Sequence, residues 1–212
     1  YVYVVAADAL SRLPEPEGNS CVTPEEIAYA LSALTSIHTH YPSVPLFEDP
    51  YNTLLLLFAQ PYPVLPKLLS FLSIPESRPF LEELLQGGLE EILNGLVAST
   101  DDRTLILVYK FLNSIIDEYI PDPGNTITIS MFLVIVTGDY SLRIVLFDYL
   151  FSLILSGPEE NVLMYLKCGV LSVLLHFLDM DDDNLNQKVY KCLFRVLQIL
   201  QVSQQLDPNQ DV

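Results

Sequence analysis

Apolar residues recur at helical spacing along most of the chain, and polar or proline-rich turns separate these stretches. Side chains that return every three or four residues share one face of an α-helix, which can then be buried. The first helix begins at Thr23, which can cap it, with Pro24 and two acids in its first turn. The same pattern predicts further helices over residues 52–59, 64–72, 79–86, 89–98, 104–119, 126–136, 142–155, 161–167, 170–178 and 185–202. The chain is therefore predicted to be all-α.

One stretch of this pattern occurs twice, 81 residues apart and without a gap. Most apolar positions of the first copy are apolar again in the second. A looser middle copy lies between them, so that the long helices begin near Thr104, Leu142 and Leu185, in steps of 38 and 43 residues. The residues that recur unchanged are Leu85, Gly88, Leu93, Asp101, Asp102, Val108, Tyr109, Lys110 and Leu112, which return as Leu166, Gly169, Leu174, Asp182, Asp183, Val189, Tyr190, Lys191 and Leu193. A fixed period of about 40 residues with two or three helices is typical of stacked helical repeats.

In each copy a short helix, a glycine turn, a second helix, an acidic turn and a long third helix follow one another. This order runs from Phe80 to Asn113 and again from Val162 to Leu193, and it resembles the armadillo-repeat family. Gly88 and Gly169 lie at the bend between two helices, where a residue without Cβ can take positive φ. The resemblance implies a right-handed superhelical solenoid.

The resemblance also predicts the organisation of the chain. Residues 77–124, 125–157 and 158–202 would be three armadillo-like repeats, and residues 23–76 would be degenerate repeats or a cap. An N-terminal extension or linker is expected over residues 1–22 and a flexible tail over residues 203–212. Because the first residue is not Met, the sequence is expected to be part of a longer chain.

In the armadillo family the third helices line a concave groove that binds extended peptides. Its importin-α branch uses a Trp there and an Asn four residues later, and this chain, which has no Trp, has Tyr109 and Asn113 at that spacing. The resemblance thus implies a row of partner-binding residues with an acidic rim. Its members are Tyr109, Asn113, Phe147, Phe151 and Tyr190, with Asp101, Asp102, Asp182 and Asp183 at the rim. The alternative is that the aromatic residues belong to the core and that Asn113 is a buried polar bridge between repeats.

The charge of the chain restricts its partners. With 27 acids against 10 bases the net charge is −17, and no stretch is rich in Lys or Arg. Nucleic acids and anionic membranes are therefore not expected as partners, and a protein or peptide is favoured, with a basic one as the better candidate. The three cysteines have no close spacing, which fits free thiols in a reducing compartment, so we expect an intracellular protein of the cytoplasm or nucleus.

No motif in the sequence indicates catalysis, a metal or another cofactor. His38, His40 and His176 have no zinc spacing, and the series Asp179, Asp181, Asp183 lacks the Gly and Glu that a calcium loop needs. We therefore expect no enzyme but a scaffold or adaptor that binds a peptide along a helical groove. Two alternatives stay open: a structural subunit of a larger complex, and an importin-α-like receptor for basic nuclear-localisation peptides.

Overall fold

The computed structural model describes residues 23–47, 49–98, 101–178 and 182–206, with residues 203–206 described by their backbone alone. Within these ranges every regular element is helical, which confirms the all-α prediction. The elements are α1 (Pro24–His40), α2 (Pro50–Phe58), α3 (Val64–Leu72), a 3₁₀ turn (Pro75–Ser77), α4 (Arg78–Gln86), α5 (Leu89–Ala98), α6 (Asp102–Ser114), α7 (Thr126–Thr137), α8 (Tyr140–Ser156), α9 (Glu159–Lys167), α10 (Val170–Leu178) and α11 (Asp183–Leu206). The expected extension over residues 1–22 lies outside the described residues. Of the expected tail, residues 203–206 continue α11 and the remainder is also outside them.

Side chains that bond to the first free amides fix where the helices begin. The side chain of Thr23 accepts a hydrogen bond from the Glu26 amide at 3.2 Å, and the Glu26 carboxylate accepts one from the Thr23 amide at 2.8 Å. This reciprocal pair is a capping box. Acidic or amide side chains cap α2, α6, α7 and α8 in the same manner. Such caps typically stabilise a helix by about 1 kcal/mol each.

Both recurring glycines have a positive φ, which glycine adopts more readily than other residues. Gly88, between α4 and α5, has φ of 107°, and Gly169, between α9 and α10, has φ of 87°. A residue with a Cβ atom is strained at these angles. The positive φ predicted at the glycine between the first and second helices is thus present in both copies, 81 residues apart, and α9 and α10 are bent by 80° at their junction.

The chain divides into two compact units, Tyr1–Gly95 and Leu96–Val212. In the first unit α1 packs against α3, and α2 packs against α3 and α4. His38 is buried at the end of α1, where its Nε2 lies 2.9 Å from the backbone oxygen of Glu76 and its ring lies beside Phe71 and Phe80. The histidine therefore belongs to the core of this unit.

In the second unit α8 is the central helix. It packs against α6, α7 and α11, while α9 and α10 pack against each other and against α11. Seven of its side chains are buried, namely Leu142, Leu146, Phe147, Tyr149, Leu150, Leu153 and Ile154. Burying an aliphatic or aromatic side chain contributes roughly 1.5–3 kcal/mol, so α8 supplies much of the core of this unit.

Among the described helices none is by itself long and apolar enough to cross a bilayer. Helices α9 and α10 reach the required length and hydropathy only as a pair, and they are bent by 80° at their junction.

Candidate partner-binding surface

Tyr109 on α6 lies in the core of the second unit. Its side chain has no exposed surface, its hydroxyl donates a hydrogen bond to the backbone oxygen of Ile127 at 2.7 Å, and its ring centroid lies 5.7 Å from that of Tyr149. Burial raises the pKa of the Tyr109 hydroxyl well above its usual value. Tyr109 therefore corresponds to the core alternative, and its prediction as a partner-binding residue is corrected.

Phe147 occupies the matching position on α8, 38 residues further on. It also has no exposed surface, and its ring centroid lies 4.3 Å from that of Phe177 on α10. Both aromatic residues are thus covered by later helices of the second unit: α7 and α8 supply Ile127 and Tyr149 to Tyr109, and α10 supplies Phe177 to Phe147. The prediction that Phe147 contacts a partner is corrected for the same reason as that for Tyr109.

Tyr190 is the third member of this series, and it is exposed. Its exposed fraction is 62%, and Phe194 and Leu197 follow on the same face of α11 at 64% and 63%. Positions four and seven residues apart lie in line along a helix. We call Tyr190, Phe194 and Leu197 the α11 stripe. Among Tyr109, Phe147 and Tyr190, Tyr190 is thus the one whose side chain is exposed.

The position four residues after each of these aromatic residues is half-buried or exposed. Asn113 and Phe151 are half-buried and Phe194 is exposed. The Asn113 Oδ1 atom is buried and accepts no hydrogen bond, and a role of Asn113 as a polar bridge between repeats stays a prediction. Phe151 lies beneath Lys188 of α11, whose Nζ is 5.8 Å from the ring centroid, a cation–π distance.

A cleft of about 250 Å³ lies where α8 and the start of α11 meet. Its floor combines apolar side chains with an ion pair, since Lys188 Nζ lies 2.5 Å from Asp148 Oδ1. Both partners are roughly one third exposed, so the pair is screened by water and stabilises the fold only weakly. The lining residues are Tyr140, Ser141, Ile144, Asp148, Asp182, Asn184, Leu185 and Lys188.

Sequence reasoning missed most of this cleft, although a signal for it exists. Ile144, Asp148 and Phe151 are spaced by four and three residues and therefore share one face of α8. That face carries one carboxylate between two apolar side chains, a pattern suited to a ligand that has both a basic group and apolar groups. Of the predicted residues, the structure brings Asp182 into the cleft and places Phe151 beside Lys188.

The acidic turns before α6 and α11 have a structural role. Asp101 accepts hydrogen bonds from the Thr104 hydroxyl at 2.8 Å and from the Thr104 amide at 3.0 Å, and these bonds lower the pKa of its carboxyl group. One oxygen of Asp182 accepts from the amides of Asn184 and Leu185 at 2.9 and 3.1 Å. Both residues are helix caps. The neighbouring Asp102 and Asp183 are exposed at the first helical positions, and their place on an acidic rim stays a prediction.

A second exposed apolar face, on α7, was not anticipated. Ile129, Leu133 and Val136 are exposed and lie in line on this helix, which contains no charged residue. The buried positions Ile127 and Met131 match Val170 and Leu174 of α10, 43 residues later. By that alignment Ile129 and Leu133 correspond to Ser172 and His176. The repeat therefore does not itself require apolar residues on this face of α7.

Within the described residues, no three His, Cys, Asp or Glu side chains come close enough together to hold a metal ion. Cys168 is exposed and Cys192 is buried, and both are free thiols. Burial raises the pKa of the Cys192 thiol to about 12. Two members of the acidic series, Asp179 and Asp181, and the third cysteine, Cys21, lie outside the described residues.

Cys168 is expected to react with iodoacetamide at pH 8 and Cys192 to stay unmodified until the protein unfolds. The thiolate is the nucleophile, and both the burial and the raised pKa of Cys192 suppress it. Peptide mapping by mass spectrometry, with and without urea, distinguishes the two sites. Equal labelling of both in the folded protein would contradict the buried position of Cys192.

A comparison with models of protein families finds no match, and a comparison with curated proteins finds none either. Among solved structures, the chain is similar to a crystal structure of an engineered protein from the Northeast Structural Genomics Consortium. The TM-score is 0.59 at 16% sequence identity, and the match covers 90% of this chain and 78% of the other. At this identity the similarity concerns the fold and carries no information on function.

Proposed function

We propose that the chain is a non-catalytic scaffold or adaptor, built as a solenoid of armadillo-like repeats, that binds a peptide segment along its third helices. The observation that carries this proposal is the row formed by Asn113, Phe151 and Phe194. These residues occupy one position of the proposed repeats, are half-buried or exposed there, and follow aromatic positions that are buried in the first two. A repeated accessible position gives an extended segment successive contacts at one spacing.

The cleft between α8 and α11 forms part of this binding face. Tyr140 and Ile144 can take an apolar side chain, and Asp148 can take a basic one in place of Lys188. The net charge of −17 adds long-range attraction for a basic segment. We therefore propose a basic intracellular peptide or protein as the partner. The importin-α-like version has less support, because no Trp is present and Asn113 alone supplies the expected amide.

A short fluorescein-labelled peptide rich in Lys and Arg tests this proposal by fluorescence anisotropy. We expect it to bind more weakly as salt rises and to lose roughly fivefold in affinity in Asp148→Asn, because one exposed charge pair contributes up to about 1 kcal/mol. Asp117→Asn is the matched control, since Asp117 is exposed, does not line the cleft, and its replacement changes the net charge equally. Equal effects of the two variants, or no binding, would count against the cleft.

The alternative of a structural subunit is favoured by the exposed apolar faces on α7 and α11. Such faces on a protein surface often mark contacts with other chains. Sedimentation velocity over a range of concentrations separates the two proposals. A monomer that binds the basic peptide supports the adaptor, whereas an obligate oligomer without peptide binding supports the subunit.

A further inference from the structure

The α11 stripe begins at Tyr190, and the matching residues of the earlier predicted repeats, Tyr109 and Phe147, are covered. Tyr109 bonds to Ile127 of α7 and its ring lies beside Tyr149 of α8, and Phe147 packs against Phe177 of α10. Each is thus covered by helices of the next predicted repeat. None of the described residues covers Tyr190 in this manner, since 62% of its surface is exposed. The contact that joins one unit to the next is thus available on α11 for one more helix.

The charged residues of α11 indicate which kind of helix could bind to the α11 stripe. This helix carries three of the ten bases of the chain, Lys188, Lys191 and Arg195, and one of its 27 acids, Asp183. Lys188 is paired with Asp148, and Arg195 lies 3.7 Å from Glu159. Lys191 is exposed and directly follows Tyr190, so a positive charge flanks the stripe. An acidic side chain on the docking helix would meet it favourably.

A second copy of the chain fits this stripe less well. Two α11 helices would bring like charges together, which is unfavourable. Three exposed side chains also bury far less than the roughly 800 Å² per partner that a stable dimer interface needs. A single amphipathic helix needs a smaller contact area, because its apolar face packs against residues spaced by four and seven positions.

We propose that the α11 stripe docks an amphipathic helix of a partner protein, with aliphatic residues on one face and acidic residues beside them. This inference rests on the proposed role as a protein-binding scaffold and adds to it a second site, for a ligand of opposite charge to that of the cleft. The docked helix takes the place that α7 has at Tyr109 and α10 has at Phe147. Tyr190 and Phe194 are the anchors, and Lys191 selects for acidic flanks.

The test uses the full chain and a synthetic amphipathic helix with leucines on one face and Glu at the flanking positions. A second peptide keeps the leucines and replaces each Glu by Lys. By fluorescence anisotropy we expect the acidic peptide to bind at least about tenfold more tightly than the basic one. The double variant Tyr190→Ala/Phe194→Ala should lose at least about tenfold, as expected for aromatic anchors. Leu133→Ala on α7, where Leu133 is 65% exposed, is the control and should change nothing.

Three results would overturn the inference: equal binding of both peptides, binding that the double variant leaves unchanged, or a dimer that Phe194→Glu dissociates. The last would assign the stripe to a second copy. Circular dichroism checks that each variant is folded. The basic peptide for the cleft is measured on the unmodified chain beside the acidic one. Binding of the basic peptide without binding of the acidic peptide overturns this inference alone, whereas binding of neither peptide counts against the scaffold role itself.

Discussion

Replacing Tyr109 by Ala is expected to lower the free energy of unfolding by about 3–5 kcal/mol, the range for removing a large buried aromatic side chain. The variant opens a cavity beside Tyr149 and removes the hydroxyl that bonds to the Ile127 oxygen. Tyr109→Phe separates the two contributions. It keeps the ring and should cost about 1 kcal/mol for the lost hydrogen bond. Urea unfolding followed by circular dichroism measures all three proteins.

Tyr190→Ala is the matched control, because Tyr190 is the same residue type at the equivalent position 81 residues later. Its exposed side chain makes little contact with the core, and surface substitutions usually change stability by less than about 0.5 kcal/mol. A large loss at both positions would mean that a further part of the molecule covers Tyr190. A small loss at both would contradict the buried position of Tyr109.

This pair shows how far the sequence predicts the structure. Val precedes and Lys follows the tyrosine in each copy, whereas Leu105, Ile106 and Leu107 of the first copy are replaced by Asn186, Gln187 and Lys188 in the second. The recurring pattern predicts a helix at both positions, and the structure has both helices. The pattern does not predict burial, because burial depends on whether another helix packs on the face that carries the tyrosine. The binding role assigned to Tyr109 and Phe147 was an error of this kind.

Features that depend on short segments were predictable. The capping box at Thr23 and the positive φ at Gly88 and Gly169 depend on a few neighbouring residues and appear as expected. The helix predicted over residues 104–119 instead ends at Ser114. Ile115 leaves the helical conformation and buries its side chain, so a tertiary contact prevails over a continuing apolar pattern.

To predict the cleft from the sequence, one would have to know which helices pack against each other. Ile144 and Asp148 come from α8, whereas Leu185 and Lys188 come from α11, 40 residues apart in the case of the ion pair. No local pattern indicates that Lys188 bonds to Asp148 rather than to a nearer acid. Asn113 and Phe151, which the sequence pattern predicts as partner-binding residues, are half-buried, and their binding role stays a prediction.

Gly157→Ala is expected to destabilise the protein by about 1–3 kcal/mol, the usual range for an inserted methyl group that meets packed atoms. Gly157 follows α8 with φ of −71°, which any residue adopts, so no special backbone conformation explains it. Its amide instead donates to the Leu153 carbonyl oxygen at 2.9 Å, and a Cβ atom there would lie 2.3 Å from that oxygen. A backbone oxygen cannot turn away as a flexible side chain does, so the chain must shift and the hydrogen bond must weaken.

Gly95→Ala serves as the opposite control in the same urea titration. Gly95 lies within α5, and a Cβ atom there would have no neighbour within 4 Å. Ala in place of Gly inside a helix restricts the unfolded chain and should stabilise the protein by about 0.5–1 kcal/mol. If Gly→Ala lowers the stability at position 157 and raises it at position 95, then Gly157 is required by the close approach of the Leu153 oxygen, whereas no neighbouring atom requires a glycine at position 95. A stabilising Gly157→Ala would show that the end of α8 is not packed as tightly as the Leu153 contact indicates.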